Sequence, residues 1–314
     1  MSCHLFLVTT YANRATAPVQ RISVVSTGEV VIRPEHRAAT RKPMYRWPAT
    51  SRRWTEPLPI NVYVVEHRDG LVLFDTGQDR ASVTDPAYFP GGPVGLIYRR
   101  LARFDIAPHQ TLTAQLAAIG YDIRDVTTAV ISHLHQDHIG GLRELPHAEI
   151  VVSRREWETL DEPAPEQRGL LRSHIRIPGL RWKQIVPQPI NDPALAPFTT
   201  GHDLFGDGSM VLVPTPGHTP GSLSMLVRGP QHPPLLMVGD VTYDSGLLEA
   251  GHVPGVGERK RLTDTTVKIN EMRRRNPGLT VLAAHDPGAA SALATATATA
   301  TATRVTGLAH VAHD

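Results

Sequence analysis

The sequence predicts an α/β layered fold with a polar site at the strand ends, and three observations lead there. Short apolar runs recur along the chain, most of them end at a polar group, and helical stretches lie between them. The stretch "INVYVVEHRDGLVLFDTG" is a clear β-hairpin: two β-rich runs flank an Asp69-Gly70 turn, where both residues tolerate positive φ. The stretch "SHLHQDHIGG", residues 132–141, places three histidines and an aspartate within six positions, directly behind the apolar run "TAVI".

The elements follow in order. Residues 20–32, "QRISVVSTGEVVI", predict two short strands around a Thr-Gly turn. Residues 33–57 are basic, with Arg33, Arg37, Arg41, Lys42, Arg46, Arg52 and Arg53, and have no helical or strand period, which predicts a long loop. After the hairpin, residues 81–110 are rich in proline and glycine and end in a candidate helix, "GLIYRRLARF". "TLTAQLAAIGY" is an amphipathic helix stopped at Gly120. "VTTAVISH" is a buried strand that delivers the histidine cluster; "AEIVVS" is another strand and "RREWETL" a helix. Residues 161–200 are punctuated by proline and predict weak structure. "SMVLVPTPGH", "SLSMLV", "PLLMVGDV" and "LTVLAAHD" are short strands, with the helix "TDTTVKINEMRRRN" between the last two. The expected organisation is one domain over residues 1–288, with insertions near 33–57, 81–110 and 161–200. Residues 289–314 are expected to be a loosely attached low-complexity Ala/Thr tail.

Composition narrows the function classes. The chain has 314 residues, is 41% hydrophobic and carries a net charge of +2, which supports a core and gives no sign of a nucleic-acid partner. The single cysteine, Cys3, excludes an internal disulfide and fits a reducing compartment, so a cytoplasmic location is expected. The apolar stretch "HLFLVTTYA" is too short to span a bilayer and has no basic residue before it, so neither a membrane anchor nor a signal peptide is expected.

The histidine string has the geometry of a metal site. His133 and His135 are two apart on an extended segment, so both rings project to one side. Asp137 and His138 lie where Gly140 and Gly141 allow a sharp bend, and can face a second position nearby. Mixed imidazole and carboxylate ligation suits divalent first-row metals such as zinc. Four ligands do not saturate two ions, and three more residues stand at strand ends: His218 in "PTPGHTPGS", Asp240 in "LLMVGDV" and His285 in "TVLAAHDPG".

With "HLHQDH" followed by "GH", "GD" and "AHD", the chain resembles the metallo-β-lactamase superfamily over most of residues 20–288, and within it the N-acyl homoserine lactonase branch. The resemblance implies an αββα sandwich: two β-sheets flanked by helices, with a dinuclear metal site at the strand ends. It implies two divalent ions, zinc first, with iron, cobalt or manganese as alternatives. By position, His133, His135 and His218 would hold one ion, Asp137, His138 and His285 the other, and Asp240 would bridge them. Asp75 in "LFDTG" resembles the family's aspartate behind the ligands; the other reading is a turn residue at the hairpin's end. Aspartate at 240 argues against the branch with cysteine there, and the short span from His218 to His285 argues against members with an inserted domain.

The implied activity is hydrolytic opening of a lactone ring, most like an N-acyl homoserine lactone, by a metal-bound hydroxide. Tyr243 stands three residues after Asp240, as in the lactonases, where it would face the substrate carbonyl; alternatively it is a packed core residue. Asp137 would also pass a proton to the leaving alkoxide. Met44, Tyr45, Trp47 and Trp54 would form a substrate lip or a homodimer contact. The alternative activity is that of a thioesterase resembling glyoxalase II, with the arginines of 33–53 gripping an anionic acyl-glutathione.

Overall fold

The computed structural model describes residues 17–41, 46–230 and 232–298. A seven-stranded sheet has the order β4-β1-β2-β3-β5-β6-β7. Its strands are β1 (Val19–Ile32), β2 (Leu58–His67), β3 (Gly70–Phe74), β4 (Ala102–Asp105), β5 (Val126–Val130), β6 (Glu149–Ser153) and β7 (Arg181–Ile185). A six-stranded sheet has the order β13-β12-β11-β10-β9-β8. It is built from β8 (Gln188–Pro189), β9 (Thr200–Asp203), β10 (Met210–Pro214), β11 (Leu223–Gly229), β12 (His232–Met237) and β13 (Thr280–Leu282).

The alternation of side chains along each strand makes the layers. Tyr63, Val65, Val72 and Phe74 of the first sheet pack against Leu212, Met225, Val227 and Met237 of the second. Their neighbours Val62, Val64, Leu71 and Leu73 face outward, onto Leu112 and Leu116 of the helix Leu112–Ala118. Val211, Val213 and Val281 face outward on the other side, onto Ile269 and Met272 of the helix Arg259–Arg275. The result is an αββα sandwich. Each of these fully buried side chains contributes about 1.5–3 kcal/mol over an exposed one.

Strand direction places the site. β3, β5 and β6 are mutually parallel, and β13 runs parallel to β12. β11 pairs antiparallel with both β10 and β12, so those two share a direction. The carboxyl ends of β5, β10, β12 and β13 therefore bring their loops together at one edge of the sandwich.

Five stretches differ from expectation; the first is the candidate helix "GLIYRRLARF", which ends at Leu101, and Ala102–Asp105 form β4. Residues 20–32 form one continuous strand rather than two, because a register shift between Ser26 and Glu29, with Gly28 at φ 119°, absorbs the Thr-Gly pair as a bulge. The 33–57 stretch is not all loop: Pro34–Arg37 and Trp47–Thr50 are single helical turns. Residues 161–200 supply β7 and β8, the edge strands of both sheets. Residues 289–298 are helical, not loosely attached, and bury Ala289, Leu293 and Ala296 in the core between the sheets. Cys3, the "HLFLVTTYA" segment and residues 299–314 lie outside the described residues. Among the described residues no helix is long and apolar enough to cross a membrane.

Candidate metal centre

β5 ends at Val130, and the extended segment that follows points His133 and His135 the same way, with His133 Nε2 3.0 Å from His135 Nδ1. His218, beyond β10, brings its Nε2 to 2.9 Å from the same His135 Nδ1. The helical turn Gln136–Ile139 carries Asp137 and His138. His285, beyond β13, has Nε2 3.5 Å from Asp137 Oδ2. Asp240, beyond β12, lies between the two groups. Its Oδ2 is 3.5 Å from His218 Nε2, and its Oδ1 is 3.4 Å from the Nε2 atoms of both His138 and His285. Gly140 and Gly141 serve close approach rather than an unusual bend. Gly140 has ordinary right-handed helical φ and ψ, but a Cβ there would sit 2.1 Å from Asp79 N.

The inward atoms fit a cation. His138 Nε2, His285 Nε2 and Asp240 Oδ1 are buried and have no hydrogen-bond partner. A buried polar atom left unpaired costs about 1–3 kcal/mol, so three converging within 3.4 Å call for a shared positive centre. His133, His135 and His218 form one group able to hold an ion, and Asp137, His138 and His285 another. Imidazoles with carboxylates suit a divalent first-row metal.

The outward atoms fix the tautomers. Ser132 N donates to Asp75 Oδ1 at 2.7 Å and Ser132 Oγ donates to Asp75 Oδ2 at 2.9 Å. The hydroxyl has a single proton, so at 3.0 Å it accepts from His133 Nδ1–H, leaving the His133 Nε2 lone pair facing inward. His138 Nδ1 donates to Asp75 Oδ2 at 2.8 Å and His285 Nδ1 to the Pro59 carbonyl at 2.9 Å. His135 is turned the other way: Nε2 donates to the Arg168 carbonyl at 3.0 Å, and Nδ1 faces inward. Asp75 thus stands directly behind His138 and, through Ser132, behind His133, at a left-handed φ of 64° that aspartate tolerates better than most residues.

Burial and neighbouring rings hold His133 well below the usual histidine range, and burial does the same to His218. His138 differs: burial opposes its charge, but Asp75 and Asp240 outweigh that and raise it well above the usual range. Burial favours a neutral Asp240, yet His285 and His138 hold it well below the carboxylate range.

Beside the cluster lies a cavity of about 540 Å³. His135, Asp137, His218, Asp240 and Tyr243 line it, together with an apolar wall of Trp47, Ile97, Leu101 and Phe104. Tyr243 donates its hydroxyl proton to Asp240 Oδ2 at 2.9 Å, so the 3.1 Å contact with His36 is donated by His36 Nε2. Burial, then Asp240 and Asp137, push the phenol well above its ordinary pKa. Burial lowers His36 to about 4, so it is neutral at pH 7.

Of the expected lip, Trp47 lines the cavity and Trp54 does not. The Trp54 ring instead meets the guanidinium groups of Arg33 and Arg103, whose Cζ atoms lie 3.5 and 4.4 Å from its centroid. Met44 and Tyr45 lie outside the described residues. None of the described arginines of 33–53 lines the cavity; Arg33 instead bonds the Arg100 and Arg53 carbonyls, and Arg37 bonds Asp244. Sequence reasoning missed His36, Ser132, and the Pro59 and Arg168 carbonyls. A backbone carbonyl has no side-chain signal, and His36 sits in an aperiodic stretch.

Imidazoles and carboxylates gathered at the strand ends of an αββα sandwich, open to a cavity, define a metal-dependent hydrolase. The chain belongs to the metallo-β-lactamase superfamily, whose model matches residues 55–285, and stands with its N-acyl homoserine lactonase branch. It is similar to the N-acyl homoserine lactonase AttM of Azorhizobium caulinodans, 33% identical over 235 residues, 74% of this chain and 83% of that one. It is also similar to a probable metallo-hydrolase of Mycobacterium tuberculosis, 33% identical over 251 residues, 73% of this chain and 75% of that one. A solved B. thuringiensis AiiA variant, with N-decanoyl-L-homoserine at its active site, shares the fold. Its TM-score is 0.68 at 21% identity, covering 86% of this chain and 94% of that one.

Proposed function

We propose that this chain opens lactone rings, with N-acyl homoserine lactones as the first substrate class. One observation carries the reading: a single cavity is lined both by the ligand cluster and by an apolar wall. A compact polar ring with an acyl tail meets both surfaces, and each buried methylene of the tail contributes about 0.8 kcal/mol. The relatives named as N-acyl homoserine lactonases support the same substrate class.

In this reading His133, His135 and His218 would hold one ion and Asp137, His138 and His285 a second, with Asp240 between the two sets, and zinc is the ion this donor set suits first. Divalent ions held there supply Lewis acidity, which polarises a carbonyl and makes water acidic near neutral pH. The chain's own groups do the rest. Tyr243, kept protonated by its raised pKa, would turn its one proton from Asp240 Oδ2 to the carbonyl oxygen as negative charge grows there. Asp137 has a side chain 19% exposed against 3% for Asp240, so it is the carboxylate open enough to carry a proton to the departing ring oxygen. The ring C–O bond breaks, water supplies the new carboxyl oxygen, and the product is an acyl hydroxy acid.

A substrate panel at neutral pH on metal-loaded protein tests this. Acyl homoserine lactones should turn over with chain-length dependence, simple γ- and δ-lactones more slowly, and an acyl-glutathione thioester least. Thioester turnover without lactone turnover would assign the site to the thioesterase alternative.

A further inference from the structure

One fully buried carboxylate outside the ligand cluster joins two of its loops. Glu156 lies in the short helix Arg154–Glu158 after β6 and is 0% exposed. Its Oε1 accepts from Leu134 N at 3.1 Å, between His133 and His135. Its Oε2 accepts from the Thr219 hydroxyl at 2.7 Å and from Gly221 N at 3.0 Å, immediately after His218. The same helix start is fastened again. Ser153 Oγ donates to the Gly221 carbonyl at 2.7 Å and accepts from Glu156 N at 3.0 Å. The approach is backbone to backbone, since a Cβ on Gly221 would lie 2.1 Å from Glu156 N.

These contacts join loops from different sheets, one following β5 and the other β10. Leu223 N donates to the Ser132 carbonyl at 2.9 Å and holds the bases of the two segments. Glu156 holds them further along, where the histidines stand. Its partners are all donors: two backbone N–H groups and one hydroxyl. A carboxylate has only acceptors and satisfies all three. A glutamine must turn its NH₂ toward Leu134 N–H or toward Gly221 N–H, so the backbone of one loop loses its bond.

We propose that Glu156 is a positioning residue that sets His133 and His135 against His218, and thereby sets the affinity for the ion those three would hold. The inference rests on the ligand reading given under Proposed function, and goes beyond it to the part of the fold that aligns the ligands.

The test is zinc binding to full-length protein stripped with a chelator. Affinities are read by competition with a chromophoric chelator, stoichiometry by elemental analysis, and apo-protein melting by circular dichroism. Wild type should take up two ions. Glu156→Gln should weaken one of them roughly 10–100-fold and spare the other. Thr219→Val, which keeps the carboxylate and both backbone bonds, should weaken the same ion by less. Wild-type affinity at both ions in a folded Glu156→Gln protein overturns the inference, as does equal weakening at both. A lowered melting temperature with unchanged affinity makes Glu156 merely structural and also overturns it. If Glu156→Gln does not fold, Thr219→Val decides, and unchanged affinity there overturns the inference. Wild type that binds no zinc removes the ligand reading itself, and this inference with it; wild type with two ions and an unaffected glutamine variant removes only this inference.

Discussion

The ligand cluster stands on strand ends and is held from behind, whereas the cavity wall beside it is made of short helical pieces and the edge strand β4. Behind His133 and His138 are Ser132 and Asp75, and behind His285 and His135 are the Pro59 and Arg168 carbonyls. The wall comes from the single turn Trp47–Thr50, the helix Gly92–Leu101 and β4, and Leu96 and Ile97 of that helix are 62% and 46% exposed. The sheets fix the atoms that would do chemistry, while added segments shape what can approach them. Substitutions in the cluster should therefore change metal content and rate, and substitutions in the wall should change preference alone.

Asp240→Ala is the hardest blow to the cluster, because Asp240 faces His218 with one oxygen and His138 and His285 with the other. Metal content should fall well below that of wild type, and kcat/KM by roughly 10³-fold, about 4 kcal/mol. Elemental analysis with lactone kinetics checks this; full metal content in the variant would show that the two halves do not share it. Asp75→Asn comes next. Asparagine tolerates the φ of 64°, so the backbone stays while His138 loses its charged partner. Metal affinity should drop roughly 10–100-fold by chelator competition.

The same contrast explains what the sequence revealed. The string from His133 to His138 is legible because period-two projection and strand-end placement are local properties. Asp240 and His285 are legible because each closes an apolar run. The wall is not legible this way. Trp47 is 1% exposed and lines the cavity while Trp54 carries two arginines, and nothing in an aperiodic stretch distinguishes them. Glu156 looks like any helix-surface glutamate, since its burial depends on the turn after His218, more than sixty residues away. The helix at 289–298 escaped for a different reason. Ala289, Leu293 and Ala296 do follow an i, i+4, i+7 face, but alanine among threonines gives almost no amphipathic contrast.

Tyr243→Phe reaches the junction of the two regions and should have a moderate effect. The ring still packs on His285, at 5.2 Å between centroids, while the hydroxyl is lost to any substrate oxygen. We expect kcat to fall about tenfold with KM little changed, below the hundredfold seen when a lone oxyanion donor is removed. Losing the bonds to Asp240 and His36 should cost about 2–3 kcal/mol of stability. Because the phenol pKa is raised, the hydroxyl is protonated throughout, and the wild-type to variant ratio of kcat should stay flat from about pH 6 to 9. A ratio that shrinks toward one as pH rises within that window would mean the hydroxyl ionises there, and would remove it as a donor.

The tryptophans give the smallest and most discriminating comparison. Trp47 is buried against the cavity, so Trp47→Leu enlarges the wall while keeping an apolar side chain in place. The preference for long over short acyl chains should shift by about fivefold in kcat/KM, close to 1 kcal/mol, the scale of a change in an apolar pocket. Metal content should not move, because the site residue this ring meets is His36, at 5.9 Å between centroids, and His36 bonds Tyr243 rather than a ligand. Trp54→Leu should do the reverse. It removes two cation–π contacts worth roughly 0.5–1 kcal/mol each, lowers the melting temperature, and leaves chain-length preference where it was. If the two variants shift preference equally, the wall is not a set of separable pieces but one body with Arg33 and Arg103 at its back, and the division between a rigid cluster and an adaptable wall fails.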